Sequence, residues 1–219
     1  VYKRQMKIYY FLIPVTIGIL FGTLIIVNQD ELGTSSIVLN KKNLLEGSTI
    51  LGNPDAKISI VEFGDYQCTF CYKFHDDTMK MILKQYVVDG KVNFVYKDFP
   101  LNGPPSIMAS EASYCAQEQG KFWEYHDLIY ENWEGENTGW LTRDALDRFA
   151  ESVELDLKKF NSCMNDSKYR QKVLETEQFA KEINIDATPS FIIFNDTNAY
   201  RIIGAQPFEK FEQVLDELG

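Results

Sequence analysis

Cys68 and Cys71 stand with two residues between them in the stretch 61–74, VEFGDYQCTFCYKF, where an apolar run has just stopped at Gly64 and helical apolar spacing begins. Paired thiols at this spacing either hold a metal ion as thiolates or pass two electrons through a reversible disulfide. A tetrahedral zinc site takes four ligands, commonly completed by a second Cys-x-x-Cys or a close pair of histidines. Here the other cysteines, Cys115 and Cys163, are far apart in the chain, and the only histidines are His75 and His126. The metal reading therefore lacks ligands, and neither a metal nor any other cofactor is assigned.

The redox reading has a physical mechanism. A thiol at a helix N-terminus faces unsatisfied backbone N–H groups and the positive end of the helix dipole, so its thiolate is stabilised and its pKa falls below the free value near 8.5. Cys68 is placed as that first, exposed residue. Cys71, one turn further in, lies on the same face and is able to close a disulfide or resolve a mixed one.

The elements that must position the pair follow from hydrophobic spacing. Residues 57–63, KISIVEF, are apolar and β-branched enough for a buried strand. Phe70, Phe74, Met81, Ile82 and Tyr86 recur at helical intervals, and 91–100, KVNFVYKDFP, forms a second strand closed by a proline. Strand, helix, strand is a βαβ unit with parallel strands and a right-handed crossover. A helical block follows over about 104–184, with Thr142 as an N-cap. Two apolar runs around a polar turn, 189–204, read as a hairpin, and Pro207 opens a last helix. The order is βαβ, a helical insert, then ββα, an α/β fold.

Length and charge bound the rest. The 219 residues hold one ordinary domain and an additional segment, and a formal net charge of −10 gives nothing basic to neutralise phosphates, which excludes a nucleic-acid partner. The additional segment is N-terminal. Residues 8–27 contain no charge, and 20 helical residues at about 1.5 Å each span roughly 30 Å, the thickness of a bilayer core. Lys3, Arg4 and Lys7 precede the run and NQDEL follows it, so 1–7 are expected as a cytoplasmic basic end, 8–27 as a single transmembrane anchor, and the remainder as extracytoplasmic. A cleaved signal peptide is the alternative, but the run is longer than a signal core and no A-x-A-like site follows it. Residues 28–50, rich in Asn, Ser and Gly, read as a tether, and 51–219 as the folded domain.

The segments VEFGDYQCTFC, GKFWEYHDLIY (120–130) and IDATPSFII (185–193), in that order, resemble the DsbA family within the thioredoxin superfamily, most closely membrane-tethered thiol–disulfide oxidoreductases of the BdbD type. The resemblance covers roughly residues 50–219 and implies a thioredoxin fold with a helical insert. It implies that Glu62, six residues before Cys68, is buried beneath the pair and assists proton transfer from the inner thiol, with Lys97 as a candidate partner. It implies that Thr188-Pro189 is a cis dipeptide opposite the cysteines, where the backbone of Thr188 pairs with an extended substrate. The intervening dipeptide, Thr69-Phe70, lacks the histidine that makes the disulfide of DsbA itself very oxidising. Partners implied are reduced or misoxidised protein substrates and a membrane reoxidant of the DsbB or VKOR type. A reductase or isomerase is the rival within enzymes, and a metal carrier built on this fold is the rival outside them. His75 and His126 read as packing residues. Cys115 and Cys163 both fall in the insert, and outside the cell a 115–163 disulfide is expected, stabilising by roughly 4 kcal/mol on chain-entropy grounds.

Overall fold

The computed structural model describes residues 23–25 and 38–219. Five strands form one mixed sheet: β3 (Ile50–Leu51), β4 (Ile58–Gly64), β5 (Val92–Asp98), β6 (Ser190–Phe194) and β7 (Ala199–Ile203), in the spatial order β3-β5-β4-β6-β7. β4 is central and buried along its whole length, as its unbroken apolar run requires. It pairs in parallel with β5 and antiparallel with β6, with Glu62 opposite both Tyr96 and Phe191. Gly64 ends β4 where the Tyr96 ring crosses it. A Cβ there would lie 2.5 Å from Tyr96 Cε2, so only glycine fits.

The crossover between β4 and β5 is one helical body, α2 (Thr69–Phe74), a π-turn (His75–Met79), α3 (Lys80–Ile82) and a second π-turn (Leu83–Val87). The insert comprises α4 (Pro104–Gln117), α5 (Phe122–Glu131), α6 (Arg143–Ser152), α7 (Leu157–Asn165) and α8 (Arg170–Glu182). Thr142 caps α6 by accepting the Ala145 N–H. Pro207 is the N-cap of α9 (Phe208–Leu218), whose buried Phe211, Val214 and Leu215 cover the sheet. Cys115 in α4 and Cys163 in α7 form a disulfide with Cα atoms 5.9 Å apart.

Period-2 alternation divides the core into two faces. Ile60, Phe94, Tyr96, Phe191 and Ile193 face the crossover helix, α9 and the insert, while Val61, Phe63, Val95, Ile192 and Phe194 face α8. That second face also buries Leu44 of α1 (Lys41–Leu45). The tether expected over 28–50 is therefore regular structure from Val38 onward: β2 (Val38–Asn40) pairs with β1 (Thr23–Ile25), α1 docks on the core, and β3 adds to the edge of β5. Leu44 and Ile50 lie in polar surroundings, so composition hides the burial that tertiary contact supplies. The expected basic end 1–7 and membrane span 8–27 lie outside the described residues, except for Thr23–Ile25, which are strand. Among the described residues no helix is long and apolar enough to cross a membrane.

Candidate active site

Cys68 is the N-cap of α2, in extended conformation, and its sulfur accepts the N–H of Cys71 at 3.4 Å. A turn built on Asp65 holds it there. The Asp65 carbonyl accepts the Cys68 N–H at 3.0 Å, and the Asp65 carboxylate accepts the Gln67 N–H, the Asn102 N–H and the Ser106 hydroxyl at 2.7, 2.7 and 2.6 Å. The loop before the cysteines is thereby tied to the start of α4. From the loop after α5, Trp133 Nε1 donates to the Gln67 carbonyl at 3.0 Å, and its ring stacks on Tyr72 with centroids 4.5 Å apart.

Opposite the pair, Thr188-Pro189 is a cis peptide, and the Cys68 thiol donates to the Thr188 carbonyl at 3.4 Å. Cys68 and Cys71 are both free thiols. Cys68 is only 5 % exposed, so the thiol expected to be exposed is buried where the helix start packs against the Thr188-Pro189 turn. Between them, Thr69 turns to the insert, while Phe70 is 55 % exposed and borders a groove of about 630 Å³ lined also by Lys73, Met81 and Pro207.

The two thiols are driven apart electrostatically. A hydrogen bond from the Cys71 side chain, opposed by burial and helped by Thr188 and the backbone N–H groups of Cys71 and Phe70, lowers the Cys68 pKa to about 7. Burial pushes the Cys71 thiol well up, and its hydrogen bond to Cys68 and the negative charges of Cys68 and Glu62 push the same way. Cys68 is thus the more readily ionised thiol of the two and Cys71 the one that holds its proton.

Glu62 lies buried in β4, and its Oε1 meets no hydrogen-bonding group among the described residues. Burial first, and the charge on Cys68 second, raise its pKa well above the ordinary carboxylate value. Lys97 does not reach it. Lys97 sits opposite Phe63 on the other face of the sheet, and its Nζ donates to the Glu46 carbonyl at 2.9 Å. His75 pairs with Asp127 at 3.1 Å and stacks on Tyr130. His126 is buried, its Nδ1 is 3.0 Å from Tyr66 Oη, and burial, then the charge of His75, lowers its pKa.

Besides Trp133, sequence patterns miss a charged residue that touches the active helix directly. Glu136, in the loop between α5 and α6, accepts the Thr69 N–H at 3.0 Å and the Thr69 hydroxyl at 3.2 Å through one oxygen, Oε2. It caps the same helix end that stabilises the Cys68 thiolate. The acidic, glycine-flanked stretch GEN at 135–137 is its only signal, and nothing local relates it to Thr69, 67 residues away.

A family model described as Thioredoxin matches residues 44–217. The chain belongs to the thioredoxin family. It is similar to the Disulfide bond formation protein D of Bacillus subtilis, 26 % identical over 169 residues, which cover 76 % of this chain and 75 % of that one. The crystal structure of oxidised BdbD from Bacillus subtilis superposes with a TM-score of 0.73 at 24 % identity, covering 79 % of this chain and 93 % of that one. That of Wolbachia pipientis alpha-DsbA1 gives 0.70 at 25 %, covering 80 % and 92 %. Within the family the likeness is to DsbA-like protein disulfide oxidoreductases, and the thiol pair described above is built for that exchange.

Proposed function

We propose that this thiol–disulfide oxidoreductase works as an oxidase, introducing disulfides into translocated proteins from a domain anchored by the N-terminal apolar run. The reading is carried by one arrangement: a Cys68 sulfur that is stable as a thiolate, set against the Thr188 carbonyl, with a protonated Cys71 behind it. In the oxidised chain a substrate thiolate attacks Cys68 Sγ, the Cys68–Cys71 bond breaks, and its electron pair leaves on Cys71. Cys71 holds a proton tightly, and the Glu62 carboxyl, whose pKa is raised, is the acid assigned to supply it. A second substrate thiolate then attacks the substrate sulfur of the mixed disulfide, and Cys68 departs as the thiolate. Two substrate thiols are oxidised and one Cys68–Cys71 disulfide is reduced. Turnover requires reoxidation, assigned here to a membrane protein of the DsbB or VKOR type. The anchor and the extracytoplasmic location are supported by the uncharged run 8–27 and the basic residues before it, and the direction by the name of the Bacillus subtilis relative.

A reductase is the second reading, since a Cys68 pKa of about 7 is also where thioredoxin's cysteine lies and is compatible with either direction. Glutathione equilibration of the full chain, read by Trp fluorescence, separates the two. A Cys68–Cys71 potential more oxidising than about −180 mV supports the oxidase, and one near about −270 mV replaces it with the reductase.

A further inference from the structure

His75, His126 and Asp127 converge from two elements on one point outside the thiol pair. His75 opens the π-turn that follows α2, and the other two are neighbours in α5. One ligand atom from each lies within 4.8 Å of the others. His75 Nε2 and Asp127 Oδ1 are 3.1 Å apart, close to the roughly 3.3 Å edge of a tetrahedron with metal–ligand bonds of about 2.0–2.1 Å. His126 is fully buried, its Nδ1 is engaged with Tyr66 Oη, and its Nε2 has no partner among the described residues.

From this geometry we infer a binding site for a borderline divalent transition ion of the Zn²⁺ class, ligated by His75, His126 and Asp127. Two imidazoles and one carboxylate are a donor set that such ions accept, and three protein ligands leave the fourth position open to water. The Tyr66 contact fits the same assignment. A ligating histidine characteristically hydrogen-bonds through its other ring nitrogen, which fixes the ring, and His126 Nδ1 already faces Tyr66 Oη at 3.0 Å. Access is from the surface: the Asp127 side chain is 45 % exposed and that of His75 is 12 % exposed. The ion would join the active-site helix to the insert. The site uses neither cysteine, and it does not depend on the direction of thiol exchange.

The cysteines are soft ligands, so the test must remove them from competition. Full chain without a histidine tag, carrying Cys68→Ser and Cys71→Ser, is titrated with Co²⁺ and followed by visible absorption, with Zn²⁺ as competitor. The expected result is one Co²⁺ per chain, a four- or five-coordinate N/O spectrum, and displacement by Zn²⁺. His75→Ala and Asp127→Asn should each weaken binding at least tenfold, with unchanged far-UV circular dichroism. Both residues are partly exposed, so these variants leave the core intact, whereas a His126 substitution disturbs it. Tyr66→Phe should keep the stoichiometry and weaken binding less than either ligand change. Absence of Co²⁺ and Zn²⁺ binding at millimolar ion overturns the assignment, and so does binding that survives both His75→Ala and Asp127→Asn.

Discussion

Replacing Glu136 by Gln should lower the Cys68 pKa, and the size of the effect follows from geometry. The carboxylate oxygen lies 3.0 Å from Thr69 N. Standard bond lengths put a Cys68 sulfur about 3–4 Å from that nitrogen, so the two charges are separated by roughly 6 Å. At an exposed helix end, with an effective dielectric constant between about 40 and 80, Coulomb's law gives about 1 kcal/mol of repulsion between carboxylate and thiolate. One pKa unit is 1.36 kcal/mol, so Glu136→Gln should lower the Cys68 pKa of its parent background by roughly half to one unit. Glutamine keeps an oxygen acceptor for the Thr69 N–H, which separates loss of charge from loss of the cap. The assay is thiolate absorbance near 240 nm against pH in the Cys71→Ala background. Chains with and without Glu136→Gln are compared in low salt and in about 1 M salt, where the Debye length shrinks to about 3 Å. The shift should shrink in high salt. A pKa that stays put or rises on Glu136→Gln, or a shift indifferent to salt, would refute the electrostatic reasoning. The same arithmetic limits what Cys68 contributes to redox poise. A pKa of about 7 against a free value near 8.5 stabilises the reduced form at pH 7 by only about half a kcal/mol, on the order of 10 mV.

Cys71→Ala removes the side-chain hydrogen bond that most lowers the Cys68 pKa, so that pKa should rise by about one unit, whereas Cys71→Ser, which keeps a donor, should rise less; equal shifts in a 240 nm titration would discount the bond. Glu62 keeps its proton in the folded chain and loses it near pH 4.3 when unfolded, so native stability should fall as pH rises from there towards its raised folded value. Glu62→Gln should therefore gain stability over the parent progressively as pH rises towards 8 and differ little at pH 4, measured by urea unfolding of the disulfide form; a pH-independent difference argues against a buried carboxyl of raised pKa. Cys115→Ala with Cys163→Ala opens a loop of 48-residue separation and should cost up to about 4 kcal/mol while leaving the Cys68–Cys71 potential within about 10 mV. A large shift in that potential would make the second disulfide a redox participant.

Much of this molecule is legible before folding because its signals are local. The unbroken apolar run of β4, the helical spacing after Cys71, the Thr142 cap and the Pro207 start each act within a few residues, and each has its expected element in the structure. Weak local signals fail where burial comes from elsewhere. Leu44 and Ile50 belong to a stretch that reads as tether, yet they complete the α8 face of the sheet.

The sequence alone determines that two thiols sit one turn apart at a strand-to-helix junction, because Cys-x-x-Cys spacing, the preceding strand and the helix start are all contiguous. It also determines the βαβ–insert–ββα order, through hydrophobic periodicity. What the thiols face was decided only by tertiary structure. Strand register put Glu62 opposite Tyr96 and turned Lys97 to the opposite face, since side chains alternate and one residue of offset exchanges the faces. The packing of the insert brought Asp65 to Ser106, Trp133 to Gln67, and the Glu136 carboxylate to the N-terminus of the active helix. These contacts join residues dozens of positions apart, and no periodicity encodes them; only the closed fold sets the distances on which their electrostatics depend.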